Sequence, residues 1–106
     1  MPKFLVEAKY TAGGTEGLLK SSASARRKAV EDLMASLGGR LESFYFSFGG
    51  TDAVIIVDLP SNEVALSVAF AVRASGMVHS ATTPLMTVEE ADRAVEHHAK
   101  YRPPGA

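Results

Sequence analysis

The chain has no cysteine among its 106 residues, which excludes disulfide bonds, thiolate nucleophiles and cysteine metal ligands. It also lacks a dominant charge, because eleven basic and twelve acidic side chains leave a formal net charge of −1. That balance predicts neither a nucleic-acid-binding surface nor a basic stripe for anionic lipid. No segment is long and apolar enough to cross a bilayer, and Glu7 interrupts an N-terminal apolar run that is too short for a signal peptide. We therefore expect a cytoplasmic protein without a metal or a cofactor.

The composition is typical of one globular domain. It is 46% hydrophobic and 22% charged, and a chain of this length buries roughly two-thirds of its unfolded surface on folding. No repeat or linker divides the sequence. We interpret residues 1–106 as a single domain whose last residues, 99–106, form a C-terminal tail.

Alternation of apolar and polar residues predicts four strands. The predicted strands are Phe4–Tyr10, Arg40–Phe48, Ala53–Leu59 and Met77–Met86. The glycine-rich turn at Gly49–Asp52 predicts that the second and third strands form a hairpin. Pro84 near the end of the fourth strand is compatible with an edge position.

Capping residues and apolar stripes predict three helices. The first begins at its cap Ser24, ends at Gly38–Gly39, and has an apolar stripe of Val30, Leu33, Met34 and Leu37. The second runs from Ser61 to about Ser75. The third runs from a capping box at Thr87–Glu90 to about Lys100. Residues 11–24 are rich in glycine and serine, and we expect a connection with one helical turn around Leu18.

The order of these elements predicts an α+β fold with a ferredoxin-like βαββαβ antiparallel sheet and an additional C-terminal helix. Right-handed connections place the two crossover helices on one face of the sheet. The other face is also rich in hydrocarbon, since Val54 and Ile56 alternate with Ile55 and Val57. We expect two such faces to meet and form an α/β-barrel-like homo-oligomer, a dimer or larger.

The second crossover helix is apolar on almost every side. Leu66 and Phe70 are expected to lie away from the sheet. Either the C-terminal helix of the same chain or another subunit covers them, and the sequence leaves both alternatives open.

Several segments resemble the GYD domain. They are the hairpin with its second strand at residues 41–60, the start of the first helix at 24–27, the stretch at 82–85 and the tail at 101–105. The resemblance implies a small protein related in architecture to dimeric α/β barrels, and it implies no particular activity. The glycine–tyrosine–aspartate signature reads Gly50-Thr51-Asp52, so threonine replaces the signature tyrosine.

Two groups of polar residues are candidates for ligand binding. We expect one face of the sheet to hold Glu7, Lys9 and His79. If these side chains are buried, His79 is a candidate catalytic base, and if they are exposed, Glu7 and Lys9 form a simple ion pair. Arg26 and Arg27, at the start of the first helix, would bind a phosphate or carboxylate, or form an ion pair with another subunit.

Two further residues complete the candidate list. Asp52 is expected mainly to fix its turn, with ligand contact as the alternative. Tyr45 lies on the opposite side of its strand from Phe44 and Phe46 and is a further candidate contact. No catalytic or metal-binding motif is present, since adjacent His97 and His98 point about 100° apart on a helix.

Two functions are compatible with this sequence. The first is an oligomeric module that binds a small molecule or regulates a partner, with the ligand between two sheets or between the sheet and its helices. The alternative is a cofactor-independent oxygenase or isomerase of the kind found among dimeric α/β barrels.

Overall fold

The structure is a computed structural model that describes residues 1–106. Its elements are β1 (Lys3–Tyr10), α1 (Ala12–Lys20), α2 (Ala23–Ser36), β2 (Arg40–Phe46), β3 (Ala53–Asp58), α3 (Asn62–Ala74), β4 (Val78–Leu85) and α4 (Val88–Val95). The α+β class predicted from the sequence is confirmed. None of the helices has the length and hydropathy of a membrane-spanning segment.

The four strands form one antiparallel sheet in the order β2-β3-β1-β4. This order is consistent with the expected ferredoxin-like arrangement, and it places Pro84 on an edge strand, as predicted. Strand β2 ends at Phe46 rather than at Phe48. A register shift between Leu41 and Ser43 leaves Glu42 as the extra residue of β2.

Helices α2 and α3 lie over the same face of the sheet, and the hydrophobic core lies beneath them. The core residues are Phe4, Ala8, Val30, Met34, Ala53, Ile55, Val57, Leu59, Ala65 and Val78. Strand β1 contributes its even-numbered side chains and β3 its odd-numbered ones, because the pairing aligns Phe4 with Val57 and Ala8 with Ala53. The alternation predicted from the sequence therefore decides which side of each strand is buried.

The connection after β1 differs from the prediction, because it is a complete helix rather than a loop with one turn. Thr11 caps α1, and its hydroxyl accepts a hydrogen bond from the backbone N–H of Gly14 at 3.2 Å. The glycines also allow close packing, since a Cβ on Gly14 would lie 2.1 Å from the carbonyl oxygen of Met77. The glycines thus indicate close packing of a helix on the residue that precedes β4, and not a loop.

The predicted cap of the first crossover helix was also wrong by two residues. Ser22, and not Ser24, accepts a hydrogen bond from the backbone N–H of Ala25 at 3.0 Å. Serines at adjacent turns offer equivalent caps in a sequence, and only the backbone geometry separates them. The predicted stop is correct, because Gly38 adopts a φ of +76° after the helix.

The C-terminal helix is shorter than predicted and does not cover α3. Its capping box is present, with Thr87 and Glu90 each bonding the other's backbone N–H, but the helix ends at Val95 instead of near Lys100. Leu66 and Phe70 on α3 remain 53% and 64% exposed. Of the two alternatives left open by the sequence, covering by the same chain is therefore not observed.

A cluster of charged side chains ties three strands together at one end of the sheet. Asp58 is only 8% exposed and accepts hydrogen bonds from Lys3 Nζ and Arg40 Nη2, both at 2.9 Å. Lys3 also bonds Glu42 at 2.6 Å. The hydrogen bond from Lys3 lowers the pKa of Asp58, partial burial opposes that shift, and the hydrogen bond from Arg40 adds to it. The pKa of Lys3 is raised, mainly by its hydrogen bond to Asp58.

This cluster predicts a stability change in acid. Because the pKa of Asp58 in the folded chain lies below its ordinary value of 3.8, its contribution is complete above that pH and disappears as the pH falls through the folded pKa. Replacing Asp58 with Asn should lower the free energy of unfolding by about 2 kcal/mol at neutral pH. Urea unfolding at a series of pH values should show the difference from wild type narrowing between about pH 5 and pH 2.

The control for this prediction is Glu16→Gln, which removes an exposed carboxylate of α1 that forms no ion pair. It should change the free energy of unfolding little at any pH. A constant difference between Asp58→Asn and wild type down to pH 2 would show that the charge of Asp58 does not stabilise the fold.

Candidate functional site

The sheet face opposite α2 and α3 has an apolar centre. The strand register arranges this open face in four rows, which run Arg40–Asp58–Lys3–Leu85, Ser43–Ile56–Leu5–Thr83, Tyr45–Val54–Glu7–Ala81 and, at the far end, Lys9–His79. The two middle rows hold Leu5, Val54 and Ile56, which no other part of the chain fully buries. We call this surface the open face. It has charged groups at both ends and hydrocarbon between them.

Three of the candidate residues lie together on the open face. Lys9 of β1 is directly opposite His79 of β4, and Glu7 lies one row away, opposite Val54 and Ala81. Lys9 and His79 are exposed and Glu7 is half-buried. Glu7 and Lys9 form no ion pair with each other, so the simple salt bridge considered from the sequence is not formed. The three side chains remain available to a molecule placed on this face.

Tyr45 and Asp52 occupy different surroundings. Tyr45 lies opposite Val54 on the open face and is exposed. Asp52 instead supports the hairpin, since its Oδ2 accepts a hydrogen bond from the backbone N–H of Tyr10 at 2.8 Å and its own N–H donates to Ala8 at 2.8 Å. Its carboxylate thus links the start of β3 to β1 and does not act only within its own turn. At that turn Thr51 contacts Ser47, with 3.3 Å between the hydroxyl oxygens.

The two adjacent arginines of α2 point in different directions. Arg27 is exposed, and its Nε lies 3.9 Å from a carboxylate oxygen of Glu31, one turn further along the helix. Such an exposed pair contributes little to stability. Arg26 is half-buried and lies on the side of α2 that faces α3. Only Arg26 is therefore placed to contact a ligand inside the fold.

A cleft separates α2 from α3 and has the sheet as its floor. Its walls are apolar side chains of the two helices, principally Val30, Leu33, Met34, Val68 and Val72. Its floor contains Val6, Ile55 and Val57 and also the polar residues Ser80 and Thr82. The enclosed part has a volume of about 60 Å³. A separate, more open hollow of about 250 Å³ shares Arg26, Val30, Leu33 and Val72 as lining.

Arg26 brings a positive charge to this apolar cleft. Its Nε is buried and has no hydrogen-bond partner. A buried donor without a partner costs roughly 1–3 kcal/mol, and more when it is charged. The same side chain lines the enclosed cleft, the outer hollow and a third hollow beside α1. An acidic group bound at this point would satisfy the donor.

The cleft was not recognised in the sequence, although one signal for it was available. Arg26 lies four residues before Val30 and seven before Leu33, so it belongs to the same helical stripe that packs towards the core. Its position in the first turn suggested a helix-terminal anion site. The stripe position is the better guide, because it decides that Arg26 turns inward while Arg27 turns outward.

Comparison with known proteins agrees with the resemblance seen in the sequence. Residues 4–95 match the family described as the GYD domain. No curated protein and no solved structure gave a significant match. The matched segment contains all four helices and the whole sheet except Lys3. Because the match covers most of the 106 residues, the chain belongs to the GYD domain family.

Proposed function

We propose that this protein is a homo-oligomeric module that binds a small molecule with an apolar tail and one carboxylate. The tail lies in the cleft between α2 and α3, and the carboxylate pairs with Arg26. The observation that carries this proposal is the buried Nε of Arg26, which has no partner at the wall of an apolar cleft. A carboxylate is planar and matches the donors of a guanidinium, so the pairing is favourable in geometry as well as in charge.

The size of the cleft limits the ligand. Pockets for drug-sized molecules measure about 300–1,000 Å³, and the cleft, at about 60 Å³, is much smaller, with a separate open hollow of about 250 Å³ beside it. A straight chain of a few carbons fits this space, whereas a large ring system does not. The polar floor residues Ser80 and Thr82 give hydroxyl groups to a ligand that carries an oxygen along its tail.

The open face supports the oligomeric part of the proposal. Leu5, Val54 and Ile56 form an apolar centre that is flanked by charged rows, which is the pattern of an association surface with a polar rim. A second copy placed face to face covers that centre and gives the barrel-like arrangement expected from the sequence. Strand β2 widens the same surface with Tyr45, an aromatic residue of the kind enriched at interfaces.

The ligand proposal predicts a charge-dependent affinity. Hexanoate should bind to the protein, and 1-hexanol, which has the same number of carbons without the charge, should bind about tenfold more weakly or worse. The variant Arg26→Gln keeps a polar side chain but shortens it and removes the charge, and it should lose about tenfold or more in affinity for hexanoate. Isothermal titration calorimetry with the two compounds measures both effects.

Arg27→Gln is the matched control, because it removes the same charge one residue away on the solvent side of α2. It should bind hexanoate as wild type does. Equal affinity for hexanoate and 1-hexanol, equal losses in the two variants, or no saturable binding of straight-chain acids from butanoate to octanoate would each refute the proposed site.

The open face makes a separate prediction about assembly. Wild-type protein should sediment as a dimer or a larger species at micromolar concentration, and Ile56→Lys should shift it towards the monomer, since a charge would be buried in the centre of the contact. Analytical ultracentrifugation measures the change, with circular dichroism to show that the variant is folded. Leu19→Lys, at an exposed apolar position on α1, is the control and should leave the assembly intact. A monodisperse wild-type monomer would contradict the assembly.

A second candidate function is favoured by the polar end of the open face. Because Lys9, His79 and Glu7 lie in adjacent rows, covering them with a second sheet would place a histidine base beside two charged groups. The candidate is a cofactor-independent oxygenase or isomerase in which His79 removes a proton from the substrate. It predicts deuterium uptake from D2O into enolisable carbonyl compounds, measured by NMR. The exchange should be lost in His79→Ala and kept in His97→Ala, and no exchange above buffer would dismiss this candidate.

A further inference from the structure

The C-terminal helix α4 has an apolar stripe that packs on nothing in its own chain. Val88, Ala91 and Val95 follow the i, i+3, i+7 spacing of one helical side. Val88 is 74% and Val95 69% exposed, and every residue from 91 to 106 is exposed. We call Val88, Ala91 and Val95 the arm stripe. An eight-residue helix with all its hydrocarbon in water is marginal, because isolated helices shorter than about 12–15 residues are barely stable.

The same chain carries a second uncovered apolar stripe. Leu66 and Phe70 lie on the outer side of α3, and Arg73 continues that side at the i+7 position. We call Leu66 and Phe70 the α3 ridge. The arm stripe is about 10 Å long and the α3 ridge about 6 Å, since a helix rises 1.5 Å per residue. The two stripes are alike in apolar character, and Arg73 extends the exposed side of α3 to about 10 Å.

The charges beside the two stripes are complementary. The flank of the arm stripe carries Glu89, Asp92 and Glu96, none of which forms an ion pair. Arg73 lies next to the α3 ridge on the same side of the helix. It likewise has no carboxylate partner and makes only a long contact of 3.5 Å to the carbonyl oxygen of Ser80. An acidic helix side therefore has a basic counterpart at the end of the ridge.

The shape of the chain indicates how much surface needs covering. Its radius of gyration is 16.8 Å, whereas a compact chain of this length has about 13 Å. It exposes 7435 Å², and a compact protein of 11.2 kDa exposes about 5,700 Å². The excess of about 1,700 Å² is roughly twice the 800 Å² that one standard interface buries on each partner. Residues 91–106, all of which are exposed, contribute to this excess together with the open face.

From these observations we infer that α4 is an exchanged arm, whose arm stripe packs on the α3 ridge of a second copy of the chain. The inference rests on the proposed self-association and adds a second surface to it. The connection between β4 and α4 is only Met86 and Thr87, and the apolar side of α4 that follows it is exposed. A reciprocal exchange covers both stripes in both copies.

Cysteine crosslinking tests this inference directly, because the chain has no cysteine of its own. One batch carries Phe70→Cys, and a second, differently tagged batch carries Val88→Cys or Val95→Cys. After mixing and brief treatment with a short bismaleimide, the expected product is a covalent heterodimer that contains both tags. At least one of the two arm positions should react about tenfold faster than a control pair, because held proximity raises the effective concentration of the second thiol.

The control pair uses Arg93→Cys in place of the arm cysteines. Residues 93 and 95 are about 200° apart around the helix, so Arg93 points away from the arm stripe. Heterodimer formation with Arg93→Cys at the same rate as with both stripe positions would overturn the inference. A double variant of Phe70→Cys and Val95→Cys in one chain gives a further contrary outcome, namely a crosslinked monomer, which would show that the arm folds back on its own α3.

The crosslinking result can be distinguished from the results that test the open-face contact and the ligand site. In an Ile56→Lys background the open-face contact is weakened while the arm and the ridge are unchanged, so persistent crosslinking there shows the exchange on its own. Crosslinking that disappears in this background, with wild type associated, would show that the open face alone holds the subunits and would refute a separate arm contact. Binding of hexanoate reports on Arg26 and does not depend on the arm.

Discussion

A four-stranded sheet has two faces, and this chain covers only one of them with helices. The hydrocarbon of Phe4, Ile55 and Val57 is buried beneath α2 and α3, and that burial is the main favourable contribution to folding. On the other face, Leu5, Val54 and Ile56 have no covering layer within the chain. Two crossover helices are too few to cover both faces of the sheet and also to cover the outer sides of the helices themselves. The open face and the α3 ridge are exposed for this reason.

The same shortage explains the cleft. Helix α2 packs mainly over β2, and α3 mainly over β4, so the two helices lie apart above the middle strands. Alanines at 65 and 69 give α3 little bulk on the side of the gap. An arginine at the wall of such a gap loses water on its Nε without gaining a partner. That cost is tolerated in proteins where a ligand or another subunit supplies the missing acceptor.

How much of this is predictable from the sequence depends on whether a feature is set by local pattern or by tertiary placement. Alternation in Phe4–Tyr10 and Ala53–Leu59 predicted the strands and placed Glu7 and Lys9 on one face, because the side-chain period of a strand is two. The charged cluster of Lys3, Asp58 and Arg40 was missed, since those residues are far apart in sequence and only the strand order brings them together. Helix α1 was read as a loop because its glycines look like turn residues until the packing of Gly14 on Met77 is known.

The number of uncovered surfaces also constrains any assembly. In the proposed assembly two open faces meet about a two-fold axis, because the contact joins the same surface of each copy. The arm and the α3 ridge are different surfaces, so their contact joins two unlike patches and continues indefinitely unless a symmetry axis closes it. A two-fold exchange, in which each subunit gives one arm and receives one, closes the contact with no free stripe. The proposed exchange gives a defined oligomer when a two-fold axis closes it, and an open filament when none does. The direction of the short Met86–Thr87 connection decides which of the two forms.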